Sequence, residues 1–424
     1  MDKFSSRKIN DTLDAIKLSD SELDTLFHRC FKMTWNETLQ VCPDGSVFVI
    51  MGDIPAMWLR DSTAQVYPYL LLCNEDAFLQ VVIRGVITRQ MRYIFIDPYA
   101  NAFNLEPNGK GHHKTDDTVQ NDWVWERKFE LDSLLYPIQL LWAYWNITND
   151  ETIFTLEIKD ALKTILRTLQ TEQNHATRSS YHFFRNNQVA LDNLPNQGNG
   201  NPIAETGMIW SAFRPSDDRC LYNYHIPSQI FAVVVLEYLS QILIEHYQAF
   251  ELANEVEVLR EQIDAGINQY GIYTHPKYGE IYAYETDGLG TVELMDDANI
   301  PSLLSIPYLG YVDNDDPIYR NTRKFILSPD NPWYFSGKYA SGIGSPHTGR
   351  GKLWHLALII QALTTDDPLE LDRILNYIKD SHAGTYLMHE SFNPDNPAEY
   401  TRASFSWANA LFSELILTKV AGLD

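Results

Sequence analysis

From residue 250 to 270 the apolar side chains Leu252, Val256, Leu259, Ile263 and Ile267 recur every three or four positions with charges between them. That is the spacing of a helix with one wet face. The same stripe runs through Ile158, Leu162, Ile165, Leu166 and Leu169, and through Leu371, Ile374, Leu375 and Ile378. Residues 131–145, 230–244, 353–363 and 405–417 are instead apolar on nearly every side, as helices enclosed all round must be. The pattern predicts twelve helices, near residues 21–38, 62–73, 75–95, 130–147, 149–173, 227–248, 250–270, 299–309, 316–328, 349–364, 366–382 and 402–419. In the clearest pairs an amphipathic helix alternates with an enclosed one. Carried along the chain, that alternation gives six outer and six inner helices: an all-α fold, a single (α/α)6 barrel over residues 1–424, with no linker and no internal repeat. Thr, Tyr and Ile runs at 272–274 and 280–285 predict a small β-hairpin within one loop.

The predicted helices are joined by short turns at one end and by long connections at the other, near 39–60, 96–128, 174–226, 271–298, 329–348 and 383–401. Long loops gathered on one side mark the face where binding and catalytic groups sit. Most of them deliver a polar cluster close to the start of an inner helix: residues 57–62, 125–129, 213–219, 295–299, 347–350 and 389–392. Tryptophans and tyrosines lie nearby. Carboxylates and arginines that hydrogen-bond vicinal hydroxyls, beside aromatic faces that cover the apolar side of a pyranose ring, are what a sugar pocket requires.

The chain carries 33 basic and 56 acidic residues, a formal charge of -23. This argues against nucleic acid and anionic membrane surfaces as partners and fits a neutral or basic ligand. The start MDKFSSRKIND lacks the apolar core of a secretory signal, and a cytoplasmic protein is expected. The longest apolar run, residues 230–244, is interrupted by Glu237, Ser240 and Gln241, so no membrane span is expected. Cys30, Cys42, Cys73 and Cys220 are scattered and match no zinc spacing, which predicts reduced thiols. The N-x-S/T matches at Asn36 and Asn146 then carry little weight.

Structural readings accompany the chemical ones. Asp61, just ahead of an inner helix, also reads as an N-cap, a role compatible with ligand contact. Asp217 and Asp218 stand close to Arg214 and Arg219, as structural ion pairs do. His112 and His113 are adjacent, so their rings point apart, and no spaced carboxylate set completes a metal site around them. No metal or other cofactor is expected.

The segments GDIPAMWLRDSTAQVYPYL, SAFRPSDDRCLYNYHIPSQ and HESFNPDNPAEYTRASFSWANALF closely resemble glycoside hydrolase family 125, the exo-α-1,6-mannosidases, and the resemblance extends over nearly the whole chain. It implies the same (α/α)6 barrel, and removal of terminal α-1,6-linked mannose from a mannose-containing oligosaccharide, with inversion and without a metal. Carried over by motif, the general acid falls in the Asp217 and Asp218 pair, with Asp218 favoured, and the general base is Glu390. Arg60 and Asp61 are expected to grip the hydroxyls of the terminal mannose. Glu126, Asp217, Tyr222 and His347 are expected as further substrate contacts.

An acid and a base on different loops suit inversion, which needs two carboxyls about 6.5 to 9.5 Å apart with a water between them. Adjacent aspartates also help keep one carboxyl protonated, because like charges disfavour double ionisation. Two other classes make different demands. A non-catalytic glycan-binding protein would bind without releasing product. A terpene-cyclase-like enzyme would need Mg²⁺ on an Asp-rich motif, but DDRCL lacks the further spaced aspartate.

Overall fold

The computed structural model describes residues 7–111 and 114–422. Helices of nine residues or more run in the order α1 (Arg7–Ala15), α2 (Ser21–Met33), α3 (Leu59–Leu70), α4 (Ala77–Ile96), α5 (Leu131–Thr148) and α6 (Leu156–Glu172). They continue as α7 (Ile226–Glu245), α8 (Phe250–Tyr270), α9 (Pro317–Ile326), α10 (His355–Leu363), α11 (Pro368–Ser381) and α12 (Ser406–Leu415).

The two ends of the molecule differ in how helices begin. Where a short turn leads in, an Asp or Thr side chain caps the free amides of every such helix but α8, whose N-cap is Ala249; after the long connections only α7 is capped by a side chain, that of His225. Asp20 accepts from Glu22 and Leu23 at 3.0 and 3.1 Å ahead of α2. Asp76 caps α4, Thr155 caps α6, Asp316 caps α9 and Asp367 caps α11. Such caps are each worth about 1 kcal/mol. At the start of α3, α5, α10 and α12 the N-cap residues are Trp58, Glu130, Trp354 and Phe405, and none of them caps with its side chain. These four helices follow long connections, and their positive dipole ends are left for other groups to use.

α3 packs on α5 and α12, α5 on α7, and α12 on α10. α4 lies over α3 and α5, α8 over α7, α11 over α10, and α2 over α12. The first set is buried on nearly all sides: in α7, Ile230, Phe231, Ala232, Val235, Leu236 and Ile242 are fully enclosed. By length and composition α7 also passes as a bilayer span, but 83 % of its most apolar window is buried inside this fold, which accounts for its composition.

Several elements depart from the expectations. The stretch expected as a helix at 299–309 is buried, with Leu303, Leu304 and Ile306 enclosed, but it forms successive turns, Ser305 to Ser302 and Leu309 to Ser305. Pro301 and Pro307 bracket it, and Pro307 lacks the amide that a regular helix would bond back four residues. Asp296 substitutes for missing helical carbonyls, accepting from Leu303 and Leu304 at 2.8 and 3.0 Å. α3 begins at Leu59 rather than 62, and α10 only at His355, after Gly349 and Gly351 turn through φ of 83° and 79°.

The expected hairpin pairs Ile272–His275 with Gly279–Tyr282. Its second strand stops short of Glu285, which lies with Thr286 between Tyr224–His225 and Val292–Glu293 in a separate three-stranded sheet. Another small sheet joins Met57–Trp58, Ala102–Phe103 and Val124–Glu126. The four cysteines are unpaired and buried.

Candidate active site

The uncapped ends of α3, α10 and α12 meet at a cavity of about 290 Å³, near the lower end of ligand-pocket sizes of about 300 Å³ and upward. Its walls include Arg60, Asp61, Asp217, His347, Glu390 and Arg402, with the rings of Trp58, Trp354, Phe405 and Trp407. Among the described residues three larger cavities are present: two, of 580 and 540 Å³, lie elsewhere, and one of 370 Å³ adjoins this one at Arg402 but carries no aromatic ring. In the first of these, Arg84 and Arg92 are already paired with Asp150 and Asp44. The convergence of opposed charges with aromatic faces singles out the smaller cavity.

Arg60, in the first turn of α3, is the hub. Its Nη1 donates to Glu130 Oε2 at 2.7 Å and to Asp132 Oδ2 at 2.9 Å. Its Nη2 donates to Asp217 Oδ1 at 3.1 Å, and its Nε lies 3.8 Å from Asp61 Oδ2. One guanidinium thus faces four carboxyls in a nearly dry site. Leaving all four ionised there would be prohibitive, so protons are retained. Burial pushes Asp61 up to about 6 and raises Asp132 against the pull of Arg60. Glu130 is raised well above the carboxylate range by burial, with Asp217 adding to the effect and Arg60 opposing it. Burial also acts to raise Asp217, but a hydrogen bond from Glu130 and the charges of Arg60 and Lys128 outweigh it and hold this carboxyl below its ordinary range.

A tight turn separates the two adjacent aspartates. The Asp217 amide donates to Arg214 O at 3.0 Å and the Arg214 amide to Asp218 O at 2.7 Å. Asp217 adopts the left-handed conformation, φ 65°, which Asp tolerates better than most residues, and Lys128 Nζ holds its carbonyl at 2.7 Å. Asp217 therefore lines the cavity while Asp218 lies behind it, 3 % exposed. Asp218 Oδ1 is 3.0 Å from His347 Nδ1. Burial opposes charging of His347, but this bond outweighs it and lifts the imidazole to about 9, so the ring lines the pocket as a cation at neutral pH.

Glu390 is held by its neighbours in sequence. His389 reaches the carbonyls of Ala403 and His382 at 3.0 and 3.2 Å and stacks on Tyr400, and the Ser391 amide donates to Thr401 Oγ1 at 3.1 Å. The Glu390 carboxylate lies 3.7 Å from Arg402 Nη1. Buried polar atoms without a protein partner collect at the site: Trp58 Nε1, Arg60 Nε, Asp61 Oδ1, Ser216 Oγ and Asp218 Oδ2. Native interiors rarely leave such groups unpaired, and donors and acceptors together suit a ligand rich in hydroxyls.

Of the residues expected in the site, Arg60, Asp61, Asp217, His347 and Glu390 come together. Asp61 is not an N-cap, because the cap position of α3 is Trp58. Glu126 does not line the cavity. Its carboxylate accepts from Arg185 at 2.9 Å and Asn101 at 3.1 Å, and Asn101 in turn reaches Asp217 at 3.3 Å, so Glu126 stands one step behind. Tyr222 is also outside the lining, its amide held by Glu285 Oε2 at 2.8 Å. Glu130, Asp132, Arg402 and Trp407 were not anticipated. Two acids at the mouth of the otherwise apolar residues 131–145 were the available signal for the first two. Among the described residues no group of three His, Cys, Asp or Glu is arranged to hold a metal ion, and His112 and His113 lie outside the described residues.

A family model described as metal-independent alpha-mannosidase (GH125) matches residues 20–417. The meiotically up-regulated gene 157 protein of Schizosaccharomyces pombe is 42% identical over 439 residues, spanning 98% of this chain and 86% of that one. Among solved structures, a metal-independent alpha mannosidase of Streptococcus pneumoniae, in a non-productive complex with alpha-1,6-mannobiose, superposes with a TM-score of 0.94 at 46% identity over 97% of this chain and 98% of that one. A bacterial glucoamylase complexed with acarbose gives a TM-score of 0.55 at 13% identity, over 99% of this chain and 57% of that one, a likeness of fold alone.

Proposed function

The chain belongs to the metal-independent α-mannosidases of glycoside hydrolase family 125 and cleaves α-mannosidic linkages, and we propose that it acts as an inverting exo-enzyme on terminal α-1,6-linked mannose. The observation that carries this reading is one small cavity lined by Asp217 and Glu390, with Arg60 at its wall. The mannobiose bound by the streptococcal relative supports the linkage. We further infer the (α/α)6 barrel, supported by the inner succession α10, α12, α3, α5 and α7, with residues 299–311 as the sixth, irregular member.

In this reading Asp217, rather than Asp218, is the general acid, because Asp217 lines the cavity, whereas Asp218 is not among its lining and pairs with His347. Asp217 protonates the glycosidic oxygen as the C1–O bond breaks. Glu390 takes a proton from the water that attacks C1 from the opposite face. Arg60, Asp61 and the His347 cation are offered to the hydroxyls of the terminal sugar, and Trp407 and Trp58 to its apolar face.

The test is hydrolysis of α-1,6-mannobiose followed by proton NMR before mutarotation equilibrates the product. β-Mannose is expected first. An initial α-anomer would mean that Glu390 attacks carbon, and absence of release would remove the linkage assignment.

A further inference from the structure

A general base must hold one orientation toward the attacking water, and among the described residues no donor hydrogen-bonds the Glu390 carboxylate. Its one ion-pair partner there is Arg402, whose Nη1 lies 3.7 Å from Glu390 Oε1. That is beyond hydrogen-bonding reach, so the carboxylate oxygens keep their lone pairs for water. The backbone brings base and cation together. Ser391 follows Glu390, Thr401 precedes Arg402, and the two are clamped across a hairpin that pairs Phe392–Asn393 with Asn396–Tyr400. The Thr401 amide donates to Ser391 O at 2.9 Å, the Ser391 amide to Thr401 Oγ1 at 3.1 Å, and the two hydroxyls meet at 2.9 Å. Glu390 and Arg402 therefore leave the open end of this hairpin side by side. Arg402 is also fixed from beyond it: its Nη2 is 3.1 Å from Asp53 Oδ1, and its guanidinium lies 5.9 Å from the centre of the Phe405 ring. It lines both the active-site cavity and the adjoining one of 370 Å³, where the Asp53 side chain is 67% exposed, so this side reaches solvent.

We propose that Arg402, anchored by Asp53, is the positioning residue that aims the Glu390 carboxylate at the water attacking C1. The proposal rests on Glu390 as base. The water oxygen bonds to C1 as its proton passes to Glu390, and the glycosidic oxygen leaves with the electron pair of the C1–O bond and takes the proton of the acid. Arg402 exchanges no proton, since a guanidinium stays charged throughout. Its part is to keep the carboxylate in one place without occupying the oxygen that the water needs.

Arg402→Ala is expected to lower kcat on α-1,6-mannobiose by about tenfold to 10²-fold, the cost of a misplaced reacting group, with KM changed only a few-fold. Turnover of α-mannosyl fluoride should fall by a similar factor, because the attacking water needs the base whichever group leaves. A double-mutant cycle separates action through Glu390 from a separate role. Adding Arg402→Ala to Glu390→Gln should cost no more than about twofold further. Millimolar guanidinium, entering through the adjoining cavity, should restore turnover to Arg402→Ala but not to the double variant, and urea, of the same shape without the charge, should restore neither. An unchanged kcat, a loss confined to KM, as a substrate contact would give, additive losses in the cycle, or equal rescue by urea would each overturn the proposal. Near-normal turnover in Glu390→Gln would instead remove the base assignment itself, whereas a loss there with none in Arg402→Ala removes only Arg402. Should Arg402→Ala not fold, Asp53→Asn at the exposed end of the anchor decides. A fall in kcat of about twofold to fivefold at constant KM is expected, the worth of a part-exposed ion pair, and an unchanged kcat would refute the positioning role.

Discussion

Glu414 offers a measurable consequence of burial away from the chemistry. It projects from α12 toward a cavity of about 20 Å³ between α3, α5, α12 and residues 300–309. Its carboxylate meets Tyr308 Oη at 3.2 and 3.1 Å. Burial pushes the carboxyl up to about 7 from an ordinary 4.5, and the Tyr308 bond offsets only part of this. A folded-state pKa raised above the unfolded one contributes stability that is fully present below about pH 4.5 and is lost as pH rises through about 7. A difference of about 2.5 units is worth about 3 kcal/mol at about 1.4 kcal/mol per unit. Glu414→Gln removes the titration without changing size. Whatever offset the substitution introduces at pH 5, the variant should therefore gain on the wild type by about 3 kcal/mol by pH 8.5. At about 2.1 cal/mol/K per residue, 424 residues give an unfolding entropy near 0.9 kcal/mol/K, so the gap in Tm should widen by about 3 °C. Paired thermal melts across that pH range read this directly. A gap that stays constant, or that moves in favour of the wild type, would refute the reasoning.

Asp217→Asn should lower mannobiose turnover by about 10² to 10⁴, while Asp218→Asn, acting through His347, should raise KM more than it lowers kcat. The reverse pattern in steady-state kinetics would return the acid role to Asp218. Arg60→Met strips the single guanidinium from four carboxyls, three of them buried, and should cost about 3–5 kcal/mol in urea unfolding. A loss under about 1 kcal/mol would show that Arg60 does not stabilise the cluster.

The helical plan and the working face were legible along the chain because both depend on local spacing. Stripes such as Leu252, Val256, Leu259, Ile263 and Ile267 mark a helix wherever it is placed, and residues 230–244 are apolar on nearly every side, as an enclosed helix must be. The polar clusters at 57–62, 213–219 and 389–392 likewise announced Arg60, Asp61, Asp217 and Glu390. Residues 299–309 were misread as a helix because apolar spacing does not register the amide that Pro307 lacks, nor the carboxylate of Asp296 that replaces it.

What only the tertiary structure decided is which polar groups meet and which way neighbours face. Arg60 lies 70, 72 and 157 positions from Glu130, Asp132 and Asp217, and no local pattern encodes such a meeting. Asp217 and Asp218 are equivalent as letters. A backbone φ of 65° and the Lys128 contact turn one into the cavity, and His347, 129 positions from Asp218, holds the other behind it. Protonation follows from the same cause: a carboxyl's charge depends on the water it has lost and the charges brought beside it, and both are set only when distant segments close around it.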